Sequence, residues 1–358
     1  MRPLHENIAI ATAAATIVAI GAAGTTFGQS PAQKRPASNQ NSSAAPSTPV
    51  TTAAVEKATP ETFVDAQNLA FGKQTTQRAT HAKGIVAVGR FQPTAQAANV
   101  SRAPHFKQAV SITVRFSNNT GLPKLADAAP QASPHGLAIK FHLPDGTETD
   151  LVTHSFNGFP VRTADDMRQL FLAVGRSGSG VASPTPIEQF LAAHPTAKTF
   201  LTTQDPPPVG YGTLNYFGVN SFKFTNAQGS SKLGRYQLVA EDGRQFLSKE
   251  AAAKASPDYL EDELRSRLSR GNLRFKILLQ LAAPGDAVDD PSIAWSNDNE
   301  RITLGVLSVT ALVPDSATTD RGLLFLPGVL PVGIEPADPM IQFRNKTYPV
   351  SYERRQNP

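Results

Sequence analysis

Between residues 84 and 156 the chain carries four runs in which apolar and polar side chains alternate: IVAVGRFQ, AVSITVRFSN, HGLAIKFHLPDG and DLVTHSF. A period of two sends successive side chains to opposite faces of an extended backbone, so each run reads as a half-buried strand. Further along, NSFKFTNAQGSSKLGRYQLVA reads as a hairpin. AEDGRQF places a turn between two more candidate strands, and FKILLQLAA and ITLGVLSVTAL close the set. Helical periodicity marks PETFVDAQNLAFG, TADDMRQLFLAVG, PIEQFLAAHP and SPDYLEDELRSRLSRG. Many consecutive strands with helices around and after them define an α+β class. Its antiparallel sheet can close into a β-barrel core.

The amino-terminal part reads differently. Residues 7 to 30 hold no charged side chain and include IAIATAAATIVAIGAAG, about the length of a signal peptide's apolar core or a thin membrane span. Residues 1–28 are therefore expected to act as a signal peptide or as an N-terminal membrane anchor. In both cases the rest of the chain is exported, to the periplasm or to the membrane face that looks onto it. Residues 29–59 are rich in Pro, Ser, Ala, Gln, Asn and Thr and lack large apolar side chains. They cannot bury enough surface to offset their ordering entropy and read as a disordered tether. One continuous domain, 60–358, follows.

The sequence contains no cysteine. That excludes disulfides, zinc ribbons, iron–sulfur clusters, thiolate haem ligands and covalent c-type haem attachment. The net charge is +5 with no block of five or more Lys or Arg, so no nucleic-acid surface is expected.

Two places carry chemistry. The first is RATHAKG, where His81 sits just before a strand, with Arg78 three residues back. Arg115-Phe116-Ser117 lies on the next strand, so Ser117 can hold the His81 ring in one tautomer across the sheet. An arginine inside apolar VRF is itself unusual, because an unpaired buried charge is costly. The second is QFRNKTYP. On a helix, the four-residue spacing of Arg344 and Tyr348 sets a guanidinium beside a phenol. A fixed cation favours a phenolate, which is a hard anionic ligand suited to ferric iron.

Those residues resemble the catalase family, and within it the small catalase-related haem peroxidases. RATHAKG, VRFS, HGLAIKFHLPDGTETDLV, VNSFKFTNAQG and GIEPADPMIQFRNKTYP match in order, from about Pro60 to Arg355. The resemblance implies that His81 is the distal acid–base and Tyr348 the axial ligand of a haem iron. It also implies that Arg344 bonds the tyrosinate and Ser117 orients His81. Arg78, Arg115 and Arg355 would sit at the haem propionates, where guanidinium groups bind carboxylates bidentately. With no cysteine the cofactor would be haem b, held non-covalently. The implied reaction cleaves hydrogen peroxide or an organic hydroperoxide: His81 takes a proton and returns it to the leaving oxygen, and a small organic reductant restores the enzyme.

The departures from the family pattern shape the expectation. An asparagine is usual in the distal pocket soon after DLV. Here the ungapped position falls on His154, and Asn157 lies three residues later; either can supply the polar group, and Asn157 is taken as the catalytic candidate. Thr80 stands where an apolar neighbour of the distal histidine is usual. The chain given stops three residues after Arg355, short of the extensions of full catalases. The expectation is thus a peroxidase rather than a fast catalase. A true catalase and a non-catalytic haem- or lipid-binding barrel are the alternatives, and assembly into a homo-oligomer stays open. Lys83 reads as solvated and Trp295 as core.

Overall fold

The computed structural model describes residues 56–357. Helix α1 (Pro60–Phe71) opens on a capping box in which Thr59 and Thr62 each accept from the other's backbone N–H. Pro60 holds the first helical position, where a missing N–H leaves nothing unpaired. Strands β1 (Gly84–Pro93), β2 (Val110–Ser117), β3 (Gly136–His142) and β4 (Glu148–His154) follow and pair antiparallel in chain order. After them come helices α2 (Ala164–Gly175), α3 (Pro186–Ala193) and α4 (Pro195–Thr202). Strands β5 (Tyr216–Phe217), β6 (Phe222–Thr225) and β7 (Ser231–Ala240) are next. Helix α5 (Tyr259–Arg270), β8 (Leu273–Leu281), β9 (Arg301–Leu312), helix α6 (Ser316–Gly322), β10 (Ile334–Pro336) and helix α7 (Met340–Gln356) complete the chain.

Going round the sheet, β1, β2, β3, β4, β5, β7, β8 and β9 each bond to the next, and β9 bonds back to β1. The sheet is a closed eight-stranded antiparallel barrel, with β6 and β10 added at β7 as a flap. Alternation decides what faces inward. Ile112, Val114 and Phe116 of β2 and Leu137, Ile139 and Phe141 of β3 join one buried apolar cluster that fills the barrel. Each such side chain contributes roughly 1.5–3 kcal/mol of burial. The alternate residues of the same strands, Arg115, Ser117, Gly136 and Ala138, therefore stand on the outer wall.

That outer wall is covered by helices. Phe63 of α1 packs edge-on against Phe171 of α2 and Phe343 of α7, with ring centroids 5.6 and 5.2 Å apart. A second, smaller apolar layer thus forms outside the barrel, and the space between it and β2, β3 and β4 holds the candidate site.

Three expectations change. AEDGRQF does turn at Gly243, but no strand follows: Phe246 makes a single bridge to Pro208. The facing segment QDPPPVG has three prolines without backbone donors, so a ladder cannot extend there. Lys83 is not solvated. Its ammonium lies 2.7 Å from both Asp127 and Asp258 and donates to the carbonyls of Leu125 and Pro257. The domain also begins before Pro60, because Ala58 N–H donates to Asp165 at 2.5 Å. The leader 1–28 and most of the tether 29–59 lie outside the described residues. Among the described residues, no helix is long and apolar enough to cross a membrane. Trp295 is core, 4% exposed, its indole N–H donating to Ala287.

Candidate active site

The barrel wall and helices α1, α2 and α7 enclose a cavity of about 310 Å³, a size usual for small-molecule sites. His81 enters it from the turn before β1. Its φ of +55° is the only positive value at a non-glycine residue among those described, a conformation that persists only where neighbours impose it. They do: His81 N–H donates to Asn119, Ala82 N–H donates to Thr120, and the His81 carbonyl accepts from Arg115 at 2.8 Å. The imidazole Nδ1 meets Ser117 Oγ at 3.0 Å. Burial first, then the Arg115 guanidinium, pushes the ring down to about 3, so it is neutral at ordinary pH. A proton on Nδ1 shared with Ser117 leaves Nε2 with a free lone pair.

Sheet register explains why the ring fits. Ser117 pairs with Gly136, and Gly136 with His154, so these three share one row and one face. A Cβ at Gly136 would stand 2.6 Å from Ser117 Oγ and 3.0 Å from His81 Nδ1. The glycine is the gap in the row over which the imidazole lies. One step back, a Cβ at Gly84 would stand 2.5 Å from Arg115 Cζ, so a second glycine admits the guanidinium. Thr80 faces the same cavity, and its hydroxyl accepts from Gln67 of α1 at 3.4 Å.

The opposite side is a single helix face. Residues 344, 348 and 355 are spaced by four and seven, and 3.6 residues per turn aligns them. Arg344, Tyr348 and Arg355 of α7 all line the cavity. Arg344 Nε donates to the Tyr348 hydroxyl at 2.7 Å. Its Nη1 is held by the Asn220 side-chain carbonyl, and Asn220 in turn donates to Asp338 at 2.7 Å. Asp338 accepts from Met340 N–H at the start of α7, so the same carboxylate anchors both the helix and the guanidinium.

At one edge three guanidiniums converge. Arg115 grips the Asp320 carboxylate through Nε (2.6 Å) and Nη2 (2.9 Å), and Arg78 pairs with the same carboxylate. Arg78 and Arg355 both donate to the Leu323 carbonyl, at 2.8 and 2.5 Å. Burial, then the neighbouring guanidiniums, push Arg78 down to about 9. Burial likewise pushes Arg355 to about 10. For Asp320 burial acts upward, but Arg115 and Arg78 outweigh it and hold the carboxyl below its usual range. Guanidiniums stay protonated in proteins, so all three remain cationic at this edge although burial disfavours their charge. Three positive charges face one negative charge.

Of the sequence-derived candidates, His81, Ser117, Arg78, Arg115, Arg344, Tyr348 and Arg355 all line this one cavity. Asn157 does not: it borders a separate shallow depression with Phe156 and Thr199. The reason is local. Phe156 N–H folds back onto His154 Nδ1 at 3.3 Å, and the turn carries residue 157 past the wall. His154 lines the cavity instead. Asn220, Asp338, Gly136 and Asp320 were not singled out by the sequence. The first three sit inside the family-like blocks; Asp320, in TTDRG, has no such signal.

The sequence and the fold match known proteins. The family model described as Catalase covers residues 48–357. A catalase-related peroxidase of Synechococcus elongatus is 33% identical over 303 residues, which is 83% of this chain and 88% of the relative. One from Mycolicibacterium paratuberculosis is 35% identical over 304 residues, 83% of this chain and 95% of the relative. A solved fungal catalase superposes with a TM-score of 0.71 at 22% identity, covering 80% of this chain and 60% of that one. The chain thus spans well under two thirds of that larger catalase. It belongs to the catalase family.

Proposed function

We propose that this chain is a haem-dependent peroxidase that reduces hydrogen peroxide or an organic hydroperoxide at the expense of a small organic donor. The observation that carries the reading is the opening of His81, Tyr348 and three arginines onto one cavity. The residues fit a haem. Its two propionates match the net excess of two positive charges left when Arg78, Arg115 and Arg355 face Asp320. Tyr348 offers an oxygen ligand from the helix side, backed by Arg344. The cavity's remaining walls include Val152, Leu170, Phe171 and Val219, which suit a flat apolar ring. Without cysteine no thioether link can form, and these contacts suit a non-covalently held haem b.

When bound, the haem supplies the iron that accepts peroxide and stores its oxidising equivalents. The protein's own part is proton handling and placement. His81 Nε2 takes the proton of the attacking hydroperoxide and delivers it to the departing oxygen, so water or an alcohol leaves. Ser117 fixes the tautomer that makes this possible, and Arg344 fixes the phenol. The catalase-related peroxidases among its relatives support a peroxide substrate.

The test is a set of three steady-state assays on haem-loaded protein: hydrogen peroxide alone, hydrogen peroxide with a phenolic donor, and an alkyl hydroperoxide with the same donor. Donor-dependent turnover is expected in the last two. Rapid oxygen release from hydrogen peroxide alone would make it a catalase instead, and a protein that takes up no haem would overturn the reading. The uncharged run at residues 7–30 supports export of the enzyme; cell fractionation tests that.

A further inference from the structure

We propose that Asp320 is a carboxylate of the cofactor site: it keeps the propionate arginines assembled in the apoprotein and competes with the haem propionates for them, which sets how readily haem is released. The proposal rests on the haem-peroxidase reading and deepens it. Its first support is geometry. An aspartate ends in the same carboxylate as a propionate, and a guanidinium grips either one through a two-pronged edge. Arg115 turns its Nε–Nη2 edge to Asp320, at 2.6 and 2.9 Å, and its Nη2 also donates to the His81 carbonyl at 2.8 Å. Arg78 gives Nη1 to the Asp320 oxygen that Arg115 Nε already holds, and Nη2 to the Leu323 carbonyl. The strong edge of Arg115 is thus taken, and a second carboxylate reaches it only where Asp320 gives way.

Its second support is charge. Among the described residues, Asp320 is the only carboxylate in ion-pair contact with Arg78 or Arg115, and the Arg115 side chain is 3% exposed. A buried charge that loses its only partner is strongly destabilising. In the apoprotein, then, Asp320 matters a great deal. Two propionates at the same edge would neutralise the arginines themselves, so Asp320 would add little there and would repel the incoming carboxylates. By linkage, whatever Asp320 contributes to the apoprotein beyond the loaded protein is taken from haem affinity.

Asp320 is also placed where it can give way. It sits on α6, a seven-residue helix with no buried residue. Ser316 Oγ accepts from Val86 N–H at 2.8 Å and pins the start of the helix. Arg355 Nε and Gln356 Nε2 donate to the Arg321 carbonyl near its end, at 3.3 and 2.6 Å. A shift at Asp320 between these two points opens no apolar core.

The experiment uses the full chain with and without haem and reads no turnover. Asp320→Asn keeps the shape and removes the charge. It is expected to lower the melting temperature of the apoprotein by about 5 °C. It is nevertheless expected to lose haem to excess apomyoglobin about tenfold more slowly than the wild type. The control probe is the dimethyl ester of the same iron porphyrin, whose propionates carry no charge; it should leave both proteins at the same rate. Equal or faster haem loss from Asp320→Asn overturns the proposal, because a purely structural aspartate would loosen the site. Slower loss of haem and ester alike also overturns it, since the effect would not run through the propionates. Should Asp320→Asn not fold, hydrogen exchange of the wild type decides. Haem loading is expected to slow exchange in α7 and to leave α6 as fast or faster; equal slowing in both helices overturns the proposal. Failure of the haem reading shows separately, as wild-type protein that takes up neither porphyrin.

Discussion

The two sides of the cavity are built in opposite ways. On the helix side, Arg344, Tyr348 and Arg355 come from one element, and helical periodicity alone aligns them. On the barrel side, His81, Ser117, Gly136 and His154 come from a turn and three strands, and only register brings them into one row. A helix face survives small errors because its residues move together. A sheet row does not, since a slip of one residue sends every side chain to the other face. The barrel side should therefore control the chemistry and be the more fragile, and the helix side should control the cofactor.

The largest expected effects test that division directly. His81→Ala should lower peroxide turnover about 10²–10⁴-fold while haem per protein stays at the wild-type level. Tyr348→Phe should do the reverse at the first step, losing haem on purification, with activity falling because the cofactor is gone. Absorbance per protein and turnover per haem separate the two. The division breaks if His81→Ala sheds its haem, or if Tyr348→Phe keeps both haem and rate.

Acid should weaken the barrel next. His105 and His135 are 2% and 1% exposed, and burial pushes each down to about 3. In the unfolded chain they titrate near 6.5. Below that pH the unfolded chain gains protons that the folded one refuses, so stability falls as pH drops from about 6.5 toward 3. Burial pushes His81 and His154 down to about 3 as well, so the slope approaches about 1.4 kcal/mol per pH unit for each of the four histidines, about 5.4 together. Denaturant unfolding at a series of pH values measures it, and His135→Gln should remove about a quarter. His105 packs among Phe91, Phe106 and Phe141 inside the barrel, so loss should start in the strands and not in α7. Earlier hydrogen exchange in α7 than in β3 would contradict this.

Gly136→Ala probes the row itself. Both close atoms, Ser117 Oγ and His81 Nδ1, are needed where they are, so the added methyl must push the ring aside. A shift of that kind is expected to cost roughly 10- to 100-fold in turnover and about 1–3 kcal/mol in stability. The matching change on the helix side, Ser351→Ala, removes only a 3.4 Å contact to Ala79 N–H and should leave turnover within about twofold. Equal losses in the two variants would mean that the row is no more sensitive than the helix.

The same contrast decides what the sequence could disclose. Period-two alternation locates β1 to β4 and the β6–β7 hairpin, and the i, i+4 spacing pairs Arg344 with Tyr348. Both signals are local. Nothing local separates Asn157 from His154, since no pattern tells where a chain leaves a sheet; the bond from Phe156 N–H to His154 Nδ1 that sets the turn is visible only in three dimensions. Gly136 and Gly84 are unremarkable in the sequence and become meaningful only beside His81 and Arg115. Asp320 reaches Arg115 across 205 positions, a separation at which no pattern speaks. Short β5 and β10, of two and three residues, carry too few positions for a period to register.

Ser117→Ala should give the smallest change, and it separates position from bonding. The methyl group keeps the volume near Gly136, so the His81 ring is not displaced by crowding. Only the Nδ1 contact at 3.0 Å is lost. Without it neither tautomer is fixed, and a fraction of molecules carries the proton on Nε2, where it blocks the base. The expected result is a three- to tenfold fall in kcat, about 0.5–1.5 kcal/mol, with KM for peroxide and haem content unchanged. The ¹⁵N spectrum of His81 should show mixed tautomers in the variant and one in the wild type. If Ser117→Ala is instead worse than Gly136→Ala, the serine–histidine bond and not the gap in the row governs the barrel side, and the fragility of that side lies in one hydrogen bond and not in the register of three strands.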